Sequence, residues 1–155
     1  MSAARTLAGL AADCGGTLIG ADRPFAGIST DTRTLGAGEV FVALTGPRFN
    51  ASEFAGAAAA AGAAAVLLPA KQDVAIAQII VADTLAALTR AAAAWRRRHS
   101  LPLVGVAGSN GKTTAKEMTA AILAEAGSCL ATQGNLNNHI GVPVTLLRLD
   151  ASHDY

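Results

Sequence analysis

Seven consecutive residues, Gly108-Ser109-Asn110-Gly111-Lys112-Thr113-Thr114, have the composition that holds a nucleoside triphosphate. Dense negative charge is bound well by backbone N–H groups when no side chain blocks the approach. The glycines at 108 and 111 meet that need and tolerate unusual backbone angles. A helix starting after Lys112 turns its positive end toward the phosphates. In such a loop the lysine reaches the terminal phosphates and the following threonine hydroxyl sits on a magnesium ion. Those positions are Lys112 and Thr113. The common spacing is G-x-x-x-x-G-K-[ST], and its first glycine falls on Val106. The run is therefore a shortened form, G-x-x-G-K-T-T.

A second polar run, Gly134-Asn135-Leu136-Asn137-Asn138-His139-Ile140-Gly141-Val142-Pro143, precedes the apolar residues 144–147. Asparagine side chains offer donors and acceptors without charge. Two readings stay open: contact with a nucleotide or with a magnesium-bound water, or an Asx-rich turn that caps the next helix. A third polar cluster, Ser29-Thr30-Asp31-Thr32-Arg33, closes a short extended segment. It also reads as an Asp-capped turn.

These clusters need a frame. Residues 103–107 (LVGVA) read as a buried strand, residues 113–126 as a helix stopped by Gly127, and residues 129–132 as the next strand. Strand, glycine loop, helix, strand is the opening of a parallel nucleotide-binding sheet. The first half predicts a small α/β unit. Strands are expected at residues 40–44, 64–68 and 79–81, and an Ala-rich helix from Ser52 and Glu53 to Gly62. A longer helix is expected over 85–98, capped by Asp83 or Thr84. Leu85, Leu88, Ala92 and Trp95 share one of its faces. Ser100 and Pro102 mark a break, so the expected division is 1–100 and 101–155.

Composition narrows the function classes. A net charge of +1 implies no nucleic-acid partner, and Arg96-Arg97-Arg98 reads as a solvated helix end. Cys14 and Cys129 lack metal-ligand spacing and read as reduced thiols, which suits the cytoplasm. No signal peptide is visible. The Ala-rich stretch 55–70 is too short and too weakly apolar to span a bilayer.

Taken together, Gly108 to Thr114 with Lys116-Glu117-Met118-Thr119, then Gly134-Asn135-Leu136-Asn137-Asn138-x-Ile140-Gly141-Val142-Pro143 and Thr145-Leu146-Leu147, resemble the Mur ligases. In the first half, Ser29 to Arg33, Gly38 to Leu44, Gly46, Arg48-Phe49 and Phe54 resemble that family's N-terminal domain. The likeness covers nearly the whole chain. It implies a small α/β substrate domain followed by the start of a P-loop parallel-sheet ATPase domain. It implies a cytoplasmic, monomeric enzyme of peptidoglycan synthesis that uses ATP and Mg²⁺. Such an enzyme activates a carboxylate as an acyl phosphate and joins D-alanyl-D-alanine to UDP-N-acetylmuramoyl-tripeptide. Implied nucleotide contacts are Gly108, Ser109, Asn110, Gly111, Lys112, Thr113, Thr114, Asn135 and Asn138, with Lys112 and Thr113 catalytic and Thr113 the magnesium-binding hydroxyl. Thr30, Asp31, Thr32 and Arg33 are implied at the UDP-muramoyl end.

The departure from the family is length. The family has three domains, so the 155 residues are expected to be an N-terminal fragment, inactive by itself. Its second segment would leave apolar faces uncovered. Competing readings are another amide ligase with the same loop and a noncatalytic module that binds a nucleotide sugar.

Overall fold

The computed structural model describes residues 5–46, 49–134 and 136–155. Two elements come before the first one expected from the sequence. Helix α1 (Leu7–Cys14) starts at Thr6, whose side chain accepts from the Gly9 N–H, and stops at Gly15 in the left-handed region, φ 69°. Its Leu7, Leu10, Ala11 and Cys14 are buried. Strand β1 (Thr17–Ile19) follows directly. Both ends of α1 are marked in the sequence by ordinary capping residues. The helix is only eight residues long and alanine dilutes its apolar face, so periodicity alone does not disclose it.

Strands β2 (Ile28–Ser29) and β3 (Val40–Val42) lead to a small hairpin, β4 (Thr45–Gly46) and β5 (Phe49–Asn50). A 3-10 turn (Ala51–Phe54), capped by the Asn50 side chain, runs into α2 (Ala55–Ala60). Strands β6 (Ala65–Leu68) and β7 (Ala77–Ile80) precede α3 (Thr84–Arg96). The main sheet has the order β1-β7-β6-β3-β2. Its β2, β3, β6 and β7 are parallel, and β1 closes one edge antiparallel.

Alternation along these strands divides the core. Val40, Val42, Ala65, Leu67, Ala77 and Ile79 face α1 and α3, while Phe41, Ala43, Val66 and Leu68 face Ala55 and Ala58 of α2. Apolar residues point both ways because helices cover both faces. Helix α3 begins where the sequence predicts. The Asp83 carboxylate accepts from the N–H groups of Leu85 and Ala86, both at 2.9 Å. Its buried face is Ala87, Leu88, Ala91, Ala92 and Trp95, with Leu85 at the margin.

The second half differs from expectation. Helix α4 (Lys112–Ala124) forms and starts one residue early. The strands expected at 103–107 and 129–132 do not: among the described residues neither joins a ladder. A strand needs a neighbour for its N–H and C=O groups, and these apolar runs find almost none. One fragment of pairing exists. The Tyr155 N–H donates to the Ser128 carbonyl at 3.0 Å, and the Leu130 N–H donates to the Tyr155 carbonyl at 2.8 Å. That is the bonding of a single parallel pair around Cys129. Helix α4 buries no residue, and Met118, Ile122, Leu103 and Val104 are exposed. The uncovered apolar faces expected from the sequence are therefore present.

Helix α5 (Gly141–Leu146) packs against α3, and Leu147 and Leu149 just beyond it join the core of the first unit. Packing thus crosses the expected boundary near residue 100.

Candidate functional site

The glycine loop sits at the N-terminus of α4. Gly108 has φ 150° and Gly111 φ 75°, both in the range that favours glycine. No side chain caps α4, so the N–H groups of its first turn point out of the helix with no intrahelical acceptor. The Lys112 ammonium spans the loop, donating to the Gly108 carbonyl at 2.6 Å and the Ser109 carbonyl at 3.3 Å. Gly108, Ser109, Asn110 and Gly111 are exposed. Exposed N–H groups, a helix N-terminus and a lysine in one place have the chemistry to hold a phosphate.

Beside this loop lies a cavity of about 450 Å³ whose wall includes Lys112, Thr113, Lys116, Thr132, Gly134 and Asn137. All its lining residues come from 101–155, so Thr30 to Arg33 take no part in it. The donor set fits the magnesium of a metal–nucleotide complex. Thr113 supplies one hydroxyl, and phosphate oxygens are the natural partners of a hard cation. It does not fit an all-protein cation cage, because no group of three or more His, Cys, Asp or Glu side chains converges among the described residues.

The asparagine run divides its labour. The Asn138 side chain accepts from the N–H groups of Ile140 at 3.1 Å and Gly141 at 2.8 Å, which starts α5. The turn reading of this cluster is thus realised at Asn138. Asn137, which the sequence did not single out, faces the cavity. Asn135 lies outside the described residues, as does Arg48. Lys116 and Thr132 are further wall residues that the site reading missed. Lys116 had entered only as part of the run Lys116 to Thr119 that carries the family resemblance, and its i+4 spacing from Lys112 puts both on one face of the helix.

The first-half cluster follows the carboxyl end of β2. The hairpin β4–β5 follows that of its neighbour β3, the end of a parallel sheet where ligands bind. The Ser29 hydroxyl donates to the Asp31 carbonyl at 3.0 Å. The Asp31 carboxylate accepts from the Arg33 N–H at 3.0 Å and from its Nε and Nη2 at 2.9 and 2.5 Å. The Arg33 guanidinium holds this carboxyl at about 2, below its ordinary 3.8. Asp31 and Arg33 form a turn with its charges internally paired. Ser52, on the adjoining 3-10 turn, is buried, and its hydroxyl has no hydrogen-bond partner among the described residues. Sequence reading gave Ser52 only a helix-opening role.

A second cavity, of about 590 Å³, lies where α5 meets the first unit. The Arg5 guanidinium packs on the rings of Trp95 at 4.3 Å and Phe25 at 4.8 Å and donates to the Leu147 carbonyl at 2.7 Å. Burial, helped by the nearby Arg98 charge, lowers the Arg5 pKa. Its neighbour Glu39 accepts from the Gly36 N–H at 2.7 Å, and Asp150 from Ser152. These polar groups are satisfied within the fold.

Comparison with known proteins agrees with the loop and the sheet. Residues 106–155 match the Mur ligase middle domain. The UDP-N-acetylmuramoyl-tripeptide–D-alanyl-D-alanine ligase of Escherichia coli K12 is 49% identical over 150 residues, 97% of this chain and 33% of that protein. The enzyme of that name from Synechocystis is 46% identical over 131 residues, 83% of this chain and 29% of its own length. Among solved structures, MurF of Acinetobacter baumannii superposes with a TM-score of 0.86 at 37% identity, covering 94% of this chain and 33% of that one. MurF of Thermotoga maritima, solved with ADP, gives 0.68 at 31% identity, covering 83% and 29%. The chain spans about a third of the length of these relatives. Its five-stranded α/β sheet matches theirs, and its glycine loop falls within the matched middle domain: the chain belongs to the Mur ligase family.

Proposed function

We propose that this chain supplies the nucleotide-sugar end and the phosphate loop of an ATP-dependent ligase. That enzyme adds D-alanyl-D-alanine to UDP-N-acetylmuramoyl-tripeptide in the cytoplasm, in the building of peptidoglycan. The observation that carries this reading is the exposed glycine loop at the N-terminus of α4, next to a cavity that Lys112, Thr113 and Asn137 help to line. The names of the relatives support the substrate class.

In this reading residues 1–100 form the substrate unit, with Thr30, Asp31, Thr32 and Arg33 at the UDP-muramoyl end. Residues 101–155 begin the ATP-binding unit, with phosphate contacts from Gly108, Ser109, Asn110, Gly111 and Thr114. A carboxylate is a poor electrophile; transfer of the γ-phosphoryl group of ATP onto it, with release of ADP, would give an acyl phosphate, and attack by the dipeptide amine would form the amide and expel phosphate. Lys112 would offset charge on the phosphoryl oxygens during that transfer. Thr113 would help to hold the magnesium, which would supply positive charge to the phosphates, while Asn135 and Asn138 would lie beside the nucleotide.

Calorimetry on the purified 155-residue chain tests the reading. Mg-ATP is expected to bind, and Lys112→Met to abolish that binding. UDP-N-acetylmuramoyl-tripeptide is expected to bind wild type and Lys112→Met alike. Binding of the nucleotide sugar with none of Mg-ATP would favour a noncatalytic binding module. Binding of neither would sink both.

A further inference from the structure

Lys116 stands out on α4. The helix buries no residue, yet the Lys116 side chain is only 17% exposed. Its ammonium donates to the Thr132 carbonyl at 2.5 Å, sixteen residues away in sequence, and pairs with the Glu117 carboxylate at 2.8 Å. Among the described residues no other hydrogen bond joins α4 to residues 128–138. The bond matters because, among the described residues, none of the second segment joins a β-ladder that would fix the distance between its parts.

Thr132 lies two residues before Gly134, where the chain turns toward Asn137 and Asn138. The far end of that run is anchored separately. Asn138 starts α5, and α5 is packed on α3. The asparagine run is thus held at one end by the first unit and at the other by a single ammonium on the phosphate-loop helix. Lys112 and Lys116 are one helical turn apart, and both face the cavity.

We propose that Lys116 is a positioning residue that ties the Thr132 carbonyl to α4. It thereby sets Asn137 opposite Lys112 and Thr113, so that both walls of the cavity engage one bound Mg-nucleotide. This rests on the nucleotide reading given above. A charged donor suits the task, since a hydrogen bond from an ionised group is about twice as strong as a neutral one.

The test compares wild type, Lys116→Met and Lys116→Arg as 155-residue chains. Met keeps the apolar stem and removes the donor; Arg restores a charged donor. Amide hydrogen exchange is read at residues 132–138, Mg-ADP affinity by calorimetry, and the unfolding midpoint by circular dichroism. In Lys116→Met, exchange at 132–138 is expected to accelerate at least tenfold and Mg-ADP to bind at least tenfold more weakly. The unfolding midpoint should stay in place, and Lys116→Arg should recover much of both losses. Unchanged affinity and exchange in Lys116→Met would overturn the proposal, as would a loss that Lys116→Arg does not repair. A wild-type chain that fails to bind Mg-ADP would overturn the nucleotide reading instead. The exchange comparison would then still decide whether Lys116 holds the loop.

Discussion

The indole Nε1 of Trp95 donates to the backbone carbonyl of Leu149 at 2.9 Å, and this buried bond joins the end of α3 to the segment that follows α5. It links residues 54 positions apart and lies on the seam where the two halves of the chain meet. Trp95→Phe keeps an aromatic face for Arg5 but leaves the Leu149 carbonyl without its donor. A buried group left unpaired costs about 1–3 kcal/mol. The variant is expected to lose stability by that amount, seen as a lower urea midpoint by circular dichroism. An unchanged midpoint would show that the bond contributes nothing to holding α5.

Gly141 gives a sharper steric forecast. A Cβ there would stand 2.5 Å from the Leu136 Cα and 2.6 Å from its carbonyl carbon, both backbone atoms. Gly141→Ala must therefore displace the asparagine run or the start of α5. Forced overpacking of this kind costs about 1–3 kcal/mol. Amide resonances of residues 136–146 are expected to shift while those of α1 and β6 stay fixed. Resonances that remain in place throughout would refute the close approach.

Asp31 provides a test in pH. Its carboxyl, held at about 2 by Arg33, lies below the ordinary 3.8. A depressed carboxylate favours the folded turn above its unfolded value, and that contribution is lost as pH falls through the folded one. The window is therefore from pH 3.8 down to about 2. Both side chains are open to solvent, so the effect belongs to the local turn. Carboxyl carbon NMR is expected to place the Asp31 midpoint near 2 in wild type and to return it to the usual range, about 3.9, in Arg33→Gln. A wild-type midpoint already near the usual range would show that the pair does not persist in solution.

The reach of sequence reading followed the kind of information each residue carries. Asp83 and the spacing of Leu88, Ala92 and Trp95 announced α3, because caps and periodicity are local properties of one helix. The run at 40–44 announced β3, and the structure trims it to three paired residues. Residues 103–107 misled for the converse reason. An apolar run records a demand for burial and says nothing of which strand will meet it, and no described strand pairs with it. Helix α1 was legible only through Thr6 and Gly15, since Ala8, Ala11 and Ala12 mute its amphipathic pattern. At the candidate site, the glycine loop and the start of α4 were plain from residue type. The split between Asn137 on the cavity and Asn138 under α5 depends on side-chain direction, which spacing does not specify.

Trp95 is the one tryptophan in the sequence, and its ring has Arg5 at 4.3 Å, Arg98 at 5.6 Å and the His99 ring at 4.9 Å. Its ultraviolet emission therefore comes from one place, the seam against which the helix after the asparagine run is docked. Release of Leu149 would wet the indole and move that emission to longer wavelength. The chain carries a built-in optical reporter of whether its two halves are still joined, with no label to attach.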